Sequence, residues 1–313
     1  YILVIRYYQK MDKGGTEDMV SSIVGNYLLD QGLITAEQYK DLLREQQKVR
    51  VKLGLIAVAE GLMTQEEADK VNRLQAVMDK RFGDIAVEKG YLTSGQVEAL
   101  LKKQGNAYLA FAQALENQQL MTVEQLEQYM KDFQKENQLT GSDLEDLKSD
   151  DVDRILPLYL PGGCDRYLEV AGTALRTIMR CVDNEVYPGK AYLTGELSAD
   201  QCALQLVEGK PFLICGMAGK GQAMLQTASV FGKEDFKQVD EDALDAIGEL
   251  LNCINGLNAT ALSQKGISME LCPPEFSAQI QKVVGEEMLV LPLRIKGQWV
   301  QFIIAIGHEL ELK

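Results

Sequence analysis

The chain has one histidine, His308, among its 313 residues. A single imidazole close to the C-terminus leaves almost no room for Ser-His-Asp catalysis or a histidine-rich metal site, and it reads as a surface residue. None of the six cysteines (Cys164, Cys181, Cys202, Cys215, Cys253, Cys272) forms a C-x-x-C pair. They read as reduced, mostly buried thiols of a cytosolic protein rather than a secreted disulfide framework. No apolar run approaches the roughly 20 residues that span a membrane. Positive charge is scarce: 32 Lys and Arg against 46 Asp and Glu, a net charge of −14. That excludes the basic footprint of a nucleic-acid binder and leaves small ligands and proteins as partners. What remains is an ordinary globular composition, 46% hydrophobic and 25% charged, in a chain long enough for two domains.

Residues 1–22 read as an N-terminal extension. They open Y-I-L-V-I-R, which has neither the length nor the flanks of a signal sequence. Lys13-Gly14-Gly15-Thr16 is what AAAGGAGG and a spacer would encode, a ribosome-binding site read as protein, with Met19 as the native start.

Residues 23–137 repeat. G-L-I-T starts at Gly32, G-L-M-T at Gly61, G-Y-L-T at Gly90 and Q-L-M-T at Gln119, so 61−32, 90−61 and 119−90 are each 29. A small-residue series, Gly25, Gly54, Gly83 and Ala112, runs in the same phase. Each unit reads as a short helix, a glycine stop, a Thr cap and a second helix, with Thr64–Glu67 and Thr93–Gln96 as capping boxes. Units this small bury their apolar faces only by stacking. The pattern of Lys52-Leu53-Gly54, Gly61 and Gln75 in the second unit and Arg81-Phe82-Gly83, Gly90 and Gln104 in the third resembles the MshEN-type module of type II secretion and pilus ATPases. Some members bind cyclic di-GMP. The resemblance implies Lys52, Gly54, Gly61, Arg81, Gly83 and Gly90 as candidate ligand contacts; the alternative is that the glycines only let helices pack closely.

Residues 138–163 turn acidic and read as a linker with a short helix, its apolar end packing on the second domain. From 164 to 313 the pattern is mixed. An amphipathic helix covers 167–182 and strands cover 191–197, 202–207, 211–217, 267–271, 288–295 and 299–306, the last two joined by a K-G-Q hairpin turn. Further helices cover 222–231 and 240–261. The expected fold is a helical repeat domain followed by an α+β domain, an antiparallel sheet with helices on one side. G-M-A-G-K-G-Q at 216–222 lacks the first glycine and the Ser/Thr of a P-loop, so it reads as a strand-to-helix turn.

The chemistry-bearing stretch is D-A-I-G-E-L-L-N-C-I-N-G, residues 245–256. At about 100° per residue, Leu244, Ile247, Leu250, Leu251, Ile254 and Leu257 share one side, while Asp245, Glu249, Asn252 and Gly256 fall within an arc of about 60°. Either the three polar side chains form one exposed patch, or Asn255-Gly256 ends the helix. With Pro273 or Pro274 downstream, Asp245, Glu249 and Asn252 resemble the signature of the CheC/CheX/FliY chemotaxis phosphatases. Gly172 stands where a second asparagine would sit, which favours the one-site CheX-like type. The resemblance implies hydrolysis of phospho-aspartate on a CheY-type receiver. Asn252 would orient water, Glu249 would grip a receiver lysine, Asp245 would support them, and Mg²⁺ would reside on the receiver, with no cofactor of the chain's own. It also implies a homodimer. The alternative is an inactive CheX-like adaptor that binds cyclic di-GMP or a motility partner.

Overall fold

The structure is a computed structural model; it describes residues 19–75 and 80–313. Most of the extension expected over 1–22 lies outside the described residues. The chain divides into two units, Val20–Asp151 and, within the described residues, Val152–Lys313 together with Met19.

The first unit is four helix pairs in the phase of the sequence repeat: α1 (Met19–Asp30) with α2 (Ala36–Gln46), α3 (Leu53–Ala59) with α4 (Gln65–Gln75), α5 (Phe82–Glu88) with α6 (Ser94–Lys102), and α7 (Ala107–Asn117) with α8 (Val123–Glu136). The first helix in each pair stops at a left-handed residue: Gly32, Gly61 and Gly90, with φ of 68°, 66° and 75°. The fourth stop is Gln119 at φ 57°, so the conformation persists where the glycine does not. After each stop comes a threonine cap. Thr35, Thr93 and Thr122 pair with Gln38, Gln96 and Gln125, and Thr64 exchanges hydrogen bonds with Glu67 in the same way.

The second glycine series has a different cause. A Cβ on Gly25 would lie 2.1 Å from Tyr39 Cε2, one on Gly54 2.9 Å from Phe82 Cε2, and one on Gly83 2.8 Å from Val97 Cγ1. These glycines admit a neighbour's side chain against the helix backbone. The pairs do not pack in chain order: α2 packs on α7, and α3 on α7 and α8. Gln46 Nε2 donates to the Ala107 carbonyl at 3.2 Å, joining the first pair to the fourth, and Gln104 Nε2 to the Val51 carbonyl at 3.0 Å, joining the third to the second.

Two boundaries differ from the sequence reading. The helical unit begins at Val20, three residues before the expected 23, because Val20 is buried in α1. The acidic 138–163 stretch carries the short helix expected of it, and its apolar end packs in the second unit, but it divides between the units at 151/152. Its helix α9 (Gly141–Lys148) is tied to the helical unit: Lys148 Nζ sits 2.6 Å from Glu127 and 5.0 Å from the Tyr108 ring centroid, and Asn106 Nδ2 donates to the Lys148 carbonyl at 2.8 Å. The short helix α10 (Val152–Ile155) belongs to the second unit, with Ile155 and Leu156 buried.

In the second unit α11 (Leu168–Cys181) precedes an antiparallel sheet of nine strands. These are β1 (Tyr187–Pro188), β2 (Tyr192–Ser198), β3 (Gln201–Glu208), β4 (Leu213–Gly219), β5 (Glu270–Leu271), β6 (Glu275–Ser277), β7 (Lys282–Ile295), β8 (Gln298–Ile306) and β9 (Leu310–Leu312). The order is β1-β7-β8-β4-β3-β5, with β2 and β9 on β7 and β6 on β3. The turn between β7 and β8 has Lys296 and Gly297 at φ 48° and 81°, and the Asp183 carboxylate accepts from the Lys296 backbone N–H at 2.7 Å. After β4, the 216–222 segment does turn from strand into α12 (Gly221–Gly232).

Register places Ala203, Gln205 and Val207 of β3 beside Met217, Cys215 and Leu213 of β4, on the face covered by α13 (Glu241–Gln264). The opposite face curls round its own core of Leu197, Cys202, Leu204, Ile214, Met288, Val290 and Ile303. The strand expected over 267–271 shrinks to two residues, because α13 runs on to Gln264 and Gly266 (φ 80°) follows it.

All six cysteines are free, three of them buried. Burial pushes the Cys202 thiol up to about 12, and the Cys215 thiol higher still. In the native protein at about pH 8 these two are therefore expected to resist Ellman's reagent until urea unfolds the domain; equal labelling of all six under native conditions would contradict the burial. Gln119→Gly is expected to raise stability by about 0.5–1 kcal/mol by relieving the left-handed side chain. Gly25→Ala is expected to lower it by about 1–3 kcal/mol. Urea denaturation reads both.

Candidate functional site

The site is built on α13. Its N-cap is Asp240, whose carboxylate accepts from the Ala243 N–H at 3.2 Å; that bond and the Gln238 amide hold its pKa below the usual aspartate value. Helix continues through Asn255 and Gly256 to Gln264, so the helix-end alternative is set aside. Leu244, Ile247, Leu250, Leu251 and Ile254 have no exposed surface. This stripe seats the helix on β3 and β4, while Leu257 lies half-buried at its margin.

The three residues singled out in the sequence fall on the other side, on successive turns. Asp245 and Glu249 are exposed and Asn252 is half-buried. Asn252 Nδ2 donates to Glu249 Oε1 at 3.2 Å. Its Oδ1 accepts from Gln205 Nε2. An interior asparagine costs helix stability when its amide competes for backbone bonds; here both ends of the amide are engaged by side chains instead.

Gln205, 1% exposed, is the residue that sequence reasoning missed. Its Nε2 also donates to the Cys272 carbonyl at 2.9 Å, and its Oε1 accepts from Asn255 Nδ2 at 2.8 Å. The only signal in the sequence is a lone amide within the apolar run C-A-L-Q-L-V. The Cys272 N–H donates to the Leu206 carbonyl at 3.0 Å, so β3 holds this loop residue from both sides. Of the two candidate prolines, Pro274 is the one against the site helix. A Cβ on Gly248 would lie 3.0 Å from Pro274 Cβ. Gly248 lies between Asp245 and Glu249, and its bare backbone is what lets the proline ring approach.

At the position expected for a second asparagine, Gly172 of α11 lies under an ion pair. A Cβ there would lie 3.2 Å from Asp153 Oδ1 and 3.3 Å from the Arg176 guanidinium, and Arg176 Nη1 is 2.5 Å from Asp153 Oδ1. His308 sits at the surface, with Nδ1 3.2 Å from Glu286.

The candidate cyclic di-GMP residues are placed differently. Lys52 and Arg81 are exposed and occupy the N-cap positions of α3 and α5, equivalent helices one repeat apart. Gly54 and Gly83 are covered by Phe82 and Val97, and Gly61 and Gly90 are helix stops. Gly54 and Gly83 thus have their backbone covered by the chain's own side chains, while Gly61 and Gly90 lie open at the surface. Among the described residues no group of three or more His, Cys, Asp or Glu side chains is placed to hold a metal ion, and no helix is long and apolar enough to cross a membrane.

Comparison with known proteins places the site in context. A family model described as chemotaxis phosphatase CheX matches residues 202–292. Among solved structures the chain is similar to a CheC-like superfamily protein from Shewanella sp. PV-4, with 19% identity over 45% of this chain and 94% of that one and a TM-score of 0.39. It is similar to a chemotaxis protein CheX from Desulfovibrio desulfuricans, with 17% identity over 44% and 99% and a TM-score of 0.37. The CheX–CheY–BeF3–Mg²⁺ complex from Borrelia burgdorferi gives 20% identity over 45% and 97% and a TM-score of 0.36. No curated protein matches, and the resemblance of the repeats to MshEN-type modules gains no support from these comparisons. The stretch matched by the chemotaxis phosphatase CheX model, residues 202–292, contains the whole of α13.

Proposed function

We propose that the second unit hydrolyses the phospho-aspartate of a CheY-type receiver domain. The observation that carries this reading is Asn252, held half-buried between Glu249 and Gln205 on a helix inside the stretch that matches the CheX model. In this reaction a water oxygen forms a bond to phosphorus as the bond from phosphorus to the aspartyl oxygen breaks. The products are inorganic phosphate and the free carboxylate, and the proton of the water is lost to phosphate or solvent. Such chemistry asks mainly for positioning and charge stabilisation. The Asn252 amide orients water without titrating. Glu249, exposed one turn earlier, is free on its outer side to meet a receiver lysine, and Asp245 extends the acidic face. Mg²⁺ belongs to the receiver.

The test is the decay of a phosphorylated CheY-type receiver. The wild-type protein is expected to accelerate it, and Asn252→Ala to cut that acceleration by about 10²–10³-fold with an unchanged circular-dichroism spectrum. No acceleration by the wild type across several receivers would rule out the phosphatase reading in favour of an adaptor.

The helical unit then serves as a sensor or docking module. Because Gly54 and Gly83 are filled by the chain's own side chains, cyclic di-GMP well above micromolar concentration is expected to leave the melting temperature unchanged. A rise of several degrees that Arg81→Ala abolishes would restore the ligand reading.

A further inference from the structure

The polarity of the Asn252 amide is decided elsewhere. A main-chain carbonyl can only accept a hydrogen bond, so the Gln205 atom 2.9 Å from the Cys272 carbonyl must be the amide nitrogen. That same nitrogen faces Asn252, which must answer with its oxygen. The Asn252 nitrogen is thereby turned to the Glu249 carboxylate, itself an acceptor. The Gln205 oxygen is left for the Asn255 amide nitrogen, at 2.8 Å. Turning the Asn252 amide over would set nitrogen against nitrogen at Gln205 and oxygen against carboxylate at Glu249. Two hydrogen bonds would become two repulsions, in a place where Gln205 is 1% exposed and water does not compensate.

We propose that Gln205 is a positioning residue: anchored by the Cys272 carbonyl, it fixes the Asn252 amide with its oxygen toward the sheet and its nitrogen toward Glu249. This rests on the phosphatase reading for its consequence in turnover, though not for its geometry. Gln205 is too buried to meet a receiver, so it acts only through Asn252. Each Asn252 atom keeps one unused capacity, a lone pair on Oδ1 and an N–H on Nδ2. With the amide locked these have fixed directions, so a water and a phosphoryl oxygen meet a preset acceptor and donor. Orientation set before the receiver arrives is the kind of contribution that lowers a barrier without tightening binding. The anchor also links the 272–274 loop to the catalytic helix through one side chain, since Cys272 immediately precedes the prolines.

The experiment has two arms on the full chain. In the kinetic arm, Gln205→Met keeps length and burial but offers no donor. It is expected to lower kcat for receiver dephosphorylation by about 10–100-fold, with KM for the phosphorylated receiver changed less than threefold or so. In an Asn252→Ala background the same substitution is expected to cost nothing further, a coupling that a merely structural role would not produce. Gln205→Glu supplies a donor only when protonated, so its kcat relative to wild type is expected to recover as pH falls. In the spectroscopic arm, the side-chain NH₂ signals of Asn252 are assigned by their loss in Asn252→Ala. They are expected to shift in Gln205→Met or Gln205→Glu, whichever remains folded, and the Gln205 NH₂ protons of the wild type are expected to exchange slowly with solvent. If the wild type proves inactive the phosphatase reading falls, and the spectroscopic arm alone decides the geometry. Unshifted Asn252 signals, or additive kinetic losses in the double variant, would overturn the role assigned to Gln205.

Discussion

The burial of one stripe of α13 is the constraint on which the rest of the site depends. Leu244, Ile247, Leu250, Leu251 and Ile254 expose no surface, so the helix can neither roll nor slide on β3 and β4 without opening a cavity in the core. With the roll fixed, the 3.6-residue turn dictates that Asp245, Glu249 and Asn252 emerge along one edge of that seam. Asn255 turns inward from the same helix to meet Gln205. The amides thus form a short polar seam along the join of helix and sheet, half under the surface. Its hydrogen bonds run from Glu249 at the exposed end to the Cys272 carbonyl. Such a seam costs desolvation, and it is retained where a side chain must be held in one orientation rather than merely buried.

The curled sheet complements this arrangement. Its helix-bearing face carries the seam, and its other face is closed by β2 and β9 returning along β7 over Leu204, Ile214 and Ile303. Both faces of β3 and β4 are therefore packed, which stiffens the strand from which Gln205 projects. Gly216 shows how tight the curled side is: a Cβ there would lie 2.3 Å from Leu204 Cδ2. On α11 the Arg176–Asp153 ion pair crosses Gly172 and ties α10 to α11.

Much of this was legible in the residues. The repeat declared itself because each unit needs a left-handed stop and a threonine cap at fixed offsets, and those needs select residue types. The patch on α13 was legible because helical geometry alone brings residues three and four apart together. What depended on partners distant in sequence was not. Gln205 in an apolar strand looks like an ordinary interruption until Cys272 and Asn252 are seen beside it, and Gly248 looks like a weak helix residue until Pro274 is placed against it. The boundary at 151/152 was hidden for a related reason. Leu144 and Leu147 bury one way and Val152 and Ile155 another, but the acids around them make the whole stretch look like solvated linker. The fourth stop at Gln119 shows the converse, a conformation imposed by its neighbours on a residue that does not favour it.

The order in which the helix pairs pack has a consequence for how such a unit can change. An open solenoid has free ends and gains or loses copies one at a time. Here α2 of the first pair lies on α7 of the fourth, and Gln46 and Gln104 donate across the cluster to Ala107 and Val51. The second pair lies on both the third and the fourth, so a pair added or removed at one point of the sequence would disturb contacts made by pairs remote from it in the chain. Copies therefore cannot be gained or lost one at a time without repacking the rest of the unit.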